Sequence, residues 1–347
     1  MAITISNCIE AYWMGIVLFL IPICFRPGSD AANVSSEEYL KLRRQLKSLN
    51  KPAVKTIKTV HGDIFDCVDI HKQPAFDHPL LKDHKIQMWP TSFPKRLESM
   101  QNSSGSGMEM RVGLPDGGCP QGTVPIRRTR MQDLLRNKSL RKLKNKAIKE
   151  HLAGSHHVNM AFEDDLAGVH HWAGISTRGV GRYYGARADL NLWNPWVGEG
   201  QFSVEQFWLS NGDYAHLNTV EFGWMDVKTH NWWVTVGYDE KPLVYFPKSL
   251  FTTLADGANT VQWGGEIYSP WDFQPQMGSG HFPSEGFGKA AFMKMIMTVD
   301  DQHELKDAPT DVDTFADEPN CYKVDHADQY GDKYWRRSFY FGGPGDR

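Results

Sequence analysis

Val261-Gln262-Trp263-Gly264-Gly265-Glu266-Ile267-Tyr268-Ser269-Pro270 alternates with a period of two. Val261, Trp263, Gly265 and Ile267 fall on one face of a strand, and Gln262, Gly264, Glu266 and Tyr268 on the other. The first face is apolar. The second carries a carboxylate, an amide and a phenol beside a glycine. A glycine inside a strand marks a bulge or a close approach of another backbone. Thr219–Met225 repeats the device: Val220, Phe222 and Trp224 share one face, and Glu221 shares the other with Gly223. This pattern predicts a sheet surface on which Glu221 and Glu266 meet as a pair of catalytic carboxylates. It assigns Trp224 and Trp263 to the core behind them.

The bulk numbers suit such a sheet. The 347 residues are 41% hydrophobic and 12% aromatic, with 12 Trp, 31 Gly and 19 Pro. Aromatic residues favour half-buried pleated surfaces and Gly and Pro favour turns, so a mostly β body is expected. A net charge of −3 supplies no basic field for nucleic acid. Five cysteines leave at least one thiol unpaired, or paired between chains, in an oxidising compartment.

Trp13–Phe25 is an apolar run shorter than the roughly 20 residues a spanning helix needs. Small residues follow at Gly28, Ser29, Ala31 and Ala32, so residues 1–31 read as a signal peptide, although Glu10 rather than Lys or Arg precedes the run. Its removal leaves no membrane anchor and sends the chain to an extracellular site (apoplast or cell wall) or the vacuole. Asn33, Asn102 and Asn137 then become candidate glycan acceptors.

Tyr39–Leu46 has helical apolar spacing, with Ser35 or Ser36 as cap and Pro52 as stop. Thr56–Val60 and Asp63–Ile70 read as short strands. His71, His78 and His84, with Asp77 and Asp83, fit no zinc spacing and read as Pro-rich extended chain, so no metal is expected. Cys67 and Cys119 are candidate disulfide partners. Ser99–Gly118 is a loop, and Arg127–Lys149 is dense in Lys and Arg. Residues 131–155 are therefore expected to be a basic linker open to processing.

From His156 the texture is all β: Phe162, Ser176–Ala188, Asp189–Trp196, Phe202–Leu209, Leu217–Met225, Asn231–Tyr238, Leu243–Phe246 and Lys289–Val299 read as strands, with a short helix at Ser249–Ala255 capped by Ser249. His156-His157 and His170-His171 point to opposite faces if on strands, and read as loop or edge residues. Gly179–Gly185 and Gly286–Ala290 fail the phosphate-loop pattern, and neither Gly-x-Ser-x-Gly nor His-Glu-x-x-His occurs. No cofactor is expected.

Asn50–Lys58 and Gln73–Pro79 through Met88 resemble the activation peptide of plant neprosin-type proteins. Tyr184-Gly185-Ala186, Leu192–Pro195, Leu217–Trp224, Trp263–Glu266, Gln276–Phe282, Glu285–Ala290, Asn320–Tyr322 and Tyr340–Gly345 resemble the neprosin domain, in order. The resemblance implies a secreted glutamic endopeptidase that cuts after proline. It also implies an antiparallel β-sandwich, a zymogen with its own propeptide as partner, and peptide or protein substrates. Residues 32–130 correspond to the activation peptide and 156–347 to the sandwich. The family's two glutamates correspond to Glu221 and Glu266, the pair that alternation singles out. Gln262, Gly264, Tyr268 and Gly223 are the accompanying oxyanion and substrate-binding candidates. Between Trp224 and Asn231 roughly 60 residues of the family pattern are absent, enough for several strands, and Cys321 lacks the partner it has in relatives. The alternative is an inactive, shortened paralogue serving as a secreted β-sandwich binding module.

Overall fold

The computed structural model describes residues 35–95, 114–135, 168–325 and 334–346, apart from positions 61, 116, 180, 199, 214, 215, 238, 239, 271 and 272. The expected signal peptide, Asn33, Asn102, Asn137, most of the basic linker, His156-His157 and Phe162 lie outside the described residues.

Helix α1 (Ser36–Leu49) starts where Ser35 accepts a hydrogen bond from the Glu38 amide at 3.3 Å, with Glu37 and Glu38 in its first turn. Strands β1 (Ala53–Lys58), β2 (Ile64–Asp69) and β3 (Thr123–Arg127) form an antiparallel sheet in that order. A Cys67–Cys119 disulfide joins β2 to the segment before β3. Asp66 is buried in this sheet, and the Arg128 guanidinium that donates to it holds its carboxyl below the usual range. The His71–His84 stretch is not extended. Pro74 and Pro79 each begin a 3-10 turn, Pro74–Asp77 and Pro79–Leu81, because proline suits a first helical turn, where its missing N–H is not needed.

The second half is a sandwich of two antiparallel sheets. The front sheet contains β4 (Val169–Thr177), β6 (Phe202–Asn211), β7 (Asn218–Glu221), β11 (Thr260–Ser269) and β14 (Val312–Ala316), in the order β14-β4-β11-β6-β7. The back sheet contains β5 (Gly185–Leu190), β8 (Trp224–Met225), β9 (Trp232–Val236), β10 (Lys241–Phe246), β12 (Ala291–Val299), β15 (Lys323–Asp325) and β16 (Ser338–Gly342). Its order is β10-β9-β8-β5-β12-β16-β15, with β13 (Leu305–Asp307) also paired to β12. The apolar face of β11 meets the back sheet: Val261, Trp263 and Ile267 are fully buried with Trp232, Phe339 and Phe341. Trp224 is buried too, but in a separate cluster with Trp233, Met297, Val299 and Leu305 and against Phe93, so only Trp263 sits in the core behind the acids as the alternation requires.

The main differences from expectation fall in four places. β4 runs from Val169 to Thr177 and β5 starts at Gly185, so the expected strand Ser176–Ala188 is two strand ends with a loop between. His170 and His171 lie in a strand, paired with β11 on one side and beyond the end of β14 on the other. Residues 191–198 form no strand; Leu192 and Trp196 are exposed, and their β-favouring side chains find no sheet to pack on. Ser249 caps nothing: the expected helix is two 3-10 turns, Lys248–Leu250 and Thr253–Asp256.

The fourth difference matters most. Leu217–Met225 is not one strand. The chain leaves the front sheet after Glu221, turns through Phe222 (φ 68°) and Gly223 (φ 120°), and enters the back sheet at Trp224. A Cβ on residue 223 would lie 2.4 Å from the Trp233 carbonyl oxygen. Both the backbone angle and the space therefore require glycine. Gly223→Ala is expected to destabilise the sandwich by at least about 2 kcal/mol, read as a lower urea midpoint at unchanged slope.

Candidate active site

Register places the candidate residues in three cross-strand rows on the outer face of the front sheet. Glu266 lies opposite Trp172 and Val204; Gly264 opposite Gly174 and Gln206; Gln262 opposite Ser176 and Trp208. Trp208 is in turn opposite Glu221. Glu221 and Glu266 thus occupy diagonal corners, two strands and four residues apart. Their carboxyls approach each other only by leaning over the middle row.

The middle row is built for that approach. A Cβ on Gly264 would lie 2.2 Å from the Ala173 carbonyl oxygen and 2.7 Å from the Gly174 Cα. The paired glycines form a floor at which the two backbones approach closely, with the Phe315 ring against Gly174. Gln206 stands beside this floor. Its Nε2 donates to Glu266 Oε2 at 3.3 Å. Glu221 is exposed overall at the sheet edge, yet desolvation of its carboxyl pushes it above its ordinary range, and the negative charge of Glu266 adds to this, against the nearby Gln206 amide. Two carboxyls that repel in this way are suited to hold one proton between them.

Glu266 has a second partner. His170 Nδ1 lies 2.7 Å from its Oε1, and the Glu266 side chain is only 13% exposed. The imidazole is stacked on Trp172 (centroids 5.4 Å apart) and flanked by Tyr268 (4.8 Å) and Phe202 (5.7 Å). His171, on the opposite face, is taken up by Asp317 and Gln274. Among the described residues no group of three or more His, Cys, Asp or Glu could hold a metal ion.

Two candidates from the sequence are displaced. Tyr268 shares the face of Glu266, but it is 1% exposed beneath His170 and Phe202, so its hydroxyl does not open onto the floor. Gly223 shapes the crossing between sheets, and its carbonyl oxygen accepts from the Ala186 amide. Gln262 remains on the open face, in the row of Glu221. Gln206 and His170 were not singled out by the sequence pattern. Phase alone places Gln206 outward with Val204 and Trp208, but only the register of β6 against both β7 and β11 sets it between the two acids.

The first half of the chain docks on the back sheet, around β8, β9, β10 and β13. Thr91 donates through both its amide and its hydroxyl to Asp226, which is fully buried; the hydroxyl bond is 2.6 Å. Gln87 Nε2 donates to the same carboxylate at 3.3 Å, and Asn231 Nδ2 donates back to Gln87 Oε1 at 2.7 Å. Burial alone would raise the Asp226 carboxyl, but donors from Thr91, Thr229 and Lys228 hold it below its usual range. Lys95 pairs through its backbone with His303 and Leu305. Pro94, buried, lines a cleft of about 510 Å³ walled by Phe222, Trp224, Val234 and Leu243.

Comparison with known protein families finds two matches. The neprosin activation peptide pattern matches residues 56–175, and the neprosin pattern matches residues 224–344. Residues 176–223, including Glu221, lie between them.

Proposed function

The chain belongs to the neprosin family, and from that premise we propose that it is the precursor of a secreted glutamic endopeptidase. Glu221 and Glu266 are its catalytic pair, and cleavage after proline is the specificity to test. The observation that carries the reading is the register: Glu266 and Glu221 flank a row holding two glycines and Gln206, Gln206 donates to Glu266, and the charge of Glu266 raises the Glu221 carboxyl. A peptide laid across that row would bring its scissile carbonyl between the acids.

The chemistry follows from one proton shared by two carboxyls. The ionised member removes a proton from water as the water oxygen attacks the carbonyl carbon. The protonated member hydrogen-bonds the carbonyl oxygen and stabilises the charge that develops there. The tetrahedral adduct then collapses. Its nitrogen takes up the proton of the acid, the C–N bond breaks to release a carboxylic acid and an amine, and the proton that the base took from water passes back to the acid, which restores the pair. The direct assay is hydrolysis of a proline-containing peptide at acidic pH. Products ending in proline support the specificity, and absence of any cleavage by chain processed within residues 131–155 counts against the enzyme.

The Cys67–Cys119 disulfide agrees with an oxidising compartment, and so with secretion to the cell wall, apoplast or vacuole. The activation peptide is the chain's own partner, and its hold on the sandwich runs through Asp226. Thr91→Val removes one donor to a buried carboxylate, a bond of about 1.5–3 kcal/mol. The expected result is amide exchange at residues 87–95 roughly ten to a hundred times faster, with exchange in β11 unchanged.

A further inference from the structure

The site contains a group that the paired-acid chemistry does not require. His170 stands on β4, beside the strand that carries Glu266, and reaches Glu266 Oε1 with Nδ1 at 2.7 Å. Gln206 takes the other oxygen. Glu266 therefore has a partner on each oxygen, whereas Glu221 stands at an exposed position at the sheet edge, near the Gln206 amide. A carboxylate accepts hydrogen bonds and donates none. An imidazole N–H at Nδ1 and an amide N–H on the other oxygen are the partners that suit the ionised form.

We infer that His170 is a positioning residue that holds Glu266 as the carboxylate that activates water, leaving Glu221 as the acid. The inference rests on the reading of Glu221 and Glu266 as the catalytic pair. It adds an order to the pair that the sequence does not provide.

The surroundings of His170 fix its aim. Trp172 stacks on it at 15°, Phe202 meets it edge-on, and Tyr268 closes the third side. The three rings flank the imidazole while its Nδ1 stands on Glu266. The ionisable groups that face it are few. Glu266 is in direct contact, Glu221 lies across the Gln206 amide, and Tyr268 lies below. Asp317, past the end of β14, accepts from the Trp172 amide and from His171, and is engaged on the opposite side of the strand.

The roles are separable because an aromatic replacement preserves the stack. His170→Phe keeps a ring between Trp172, Phe202 and Tyr268 but removes the donor. His170→Gln keeps a donor and removes the ring. Two readouts apply to the full-length chain. The first is a 13C titration of side-chain carboxyls in glutamate-labelled protein, with the two signals assigned from Glu221→Gln and Glu266→Gln. The expected result is that Glu266 ionises before Glu221, and that His170→Phe brings the two midpoints closer together. The second is the pH profile of peptide hydrolysis after acid processing. His170→Phe is expected to lower kcat by roughly 10- to 100-fold with KM within about threefold, and to move the acid limb upward. His170→Gln is expected to recover part of both. An unchanged Glu266 titration in His170→Phe, or a Glu221 that ionises first, overturns the inference and leaves the pair intact. Full activity in Glu266→Gln overturns the pair itself.

Discussion

Glu266→Gln is expected to lower kcat/KM for peptide hydrolysis at acidic pH by at least about a thousandfold, and Glu221→Gln by a comparable factor. The magnitude follows from the division of labour. A positioned general base or acid contributes typically ~10²–10⁴-fold. Here Glu266 also sets the proton affinity of Glu221, because desolvation and the charge of Glu266 together raise it. Removing Glu266 therefore removes its own step and mistunes Glu221. Groups that act as a unit are not additive, so the double variant is expected to be little worse than either single variant. The substitutions should leave the fold intact. A glutamine at 266 still offers an oxygen to the Gln206 amide, and Glu221 sits at an exposed edge. Urea midpoints near that of the parent, beside lost activity, would establish that chemistry and not folding is affected. More than about a tenth of parental activity in either variant excludes the pair as the catalytic machinery.

Much of this site was legible in the chain because β-strands have a strict period. The alternation of Val261–Ser269 put Glu266 outward and Trp263 inward, and both stand so. The same argument applied to Leu217–Met225 found the right face for Glu221 but assumed one strand. It missed the crossing, because positive φ at Phe222 is not written in its side chain. Gly223 was the available signal, and it marks the crossing where a substrate contact had been expected. His170 and Gln206 were hidden for a different reason. Neither is unusual in its own strand, and each acquires its role from the neighbour that register supplies. Periodicity within a strand is local. Which strand lies alongside is decided by the whole sandwich.

The same rule exposes Glu205. In Phe202–Leu209 the phase that sends Gln206 and Trp208 outward sends Glu205 inward with Phe207 and Leu209. Glu205 lies opposite Gly265, close to Gly278, and both its carboxyl oxygens are buried without a hydrogen-bond partner. Burial raises its carboxyl from an ordinary 4.5 up to about 8. The folded state thus prefers the neutral acid more strongly than the unfolded chain does. The stability this contributes is complete below the unfolded value and is lost as pH rises through the folded one. The loss is roughly 3 kcal/mol by pH 7 and about 4 kcal/mol by pH 8. The protein is therefore expected to be held together better at the acidic pH at which its proposed chemistry runs than at neutrality. Glu205→Gln retains the shape and removes the titration. Urea unfolding of parent and variant at pH 5 and pH 8 isolates the effect, because every other titrating group is common to both. The variant should match the parent to within about 1 kcal/mol at pH 5 and exceed it by about 4 kcal/mol at pH 8. Equal stabilities at both values would mean that the inner face of the sheet admits a charge after all.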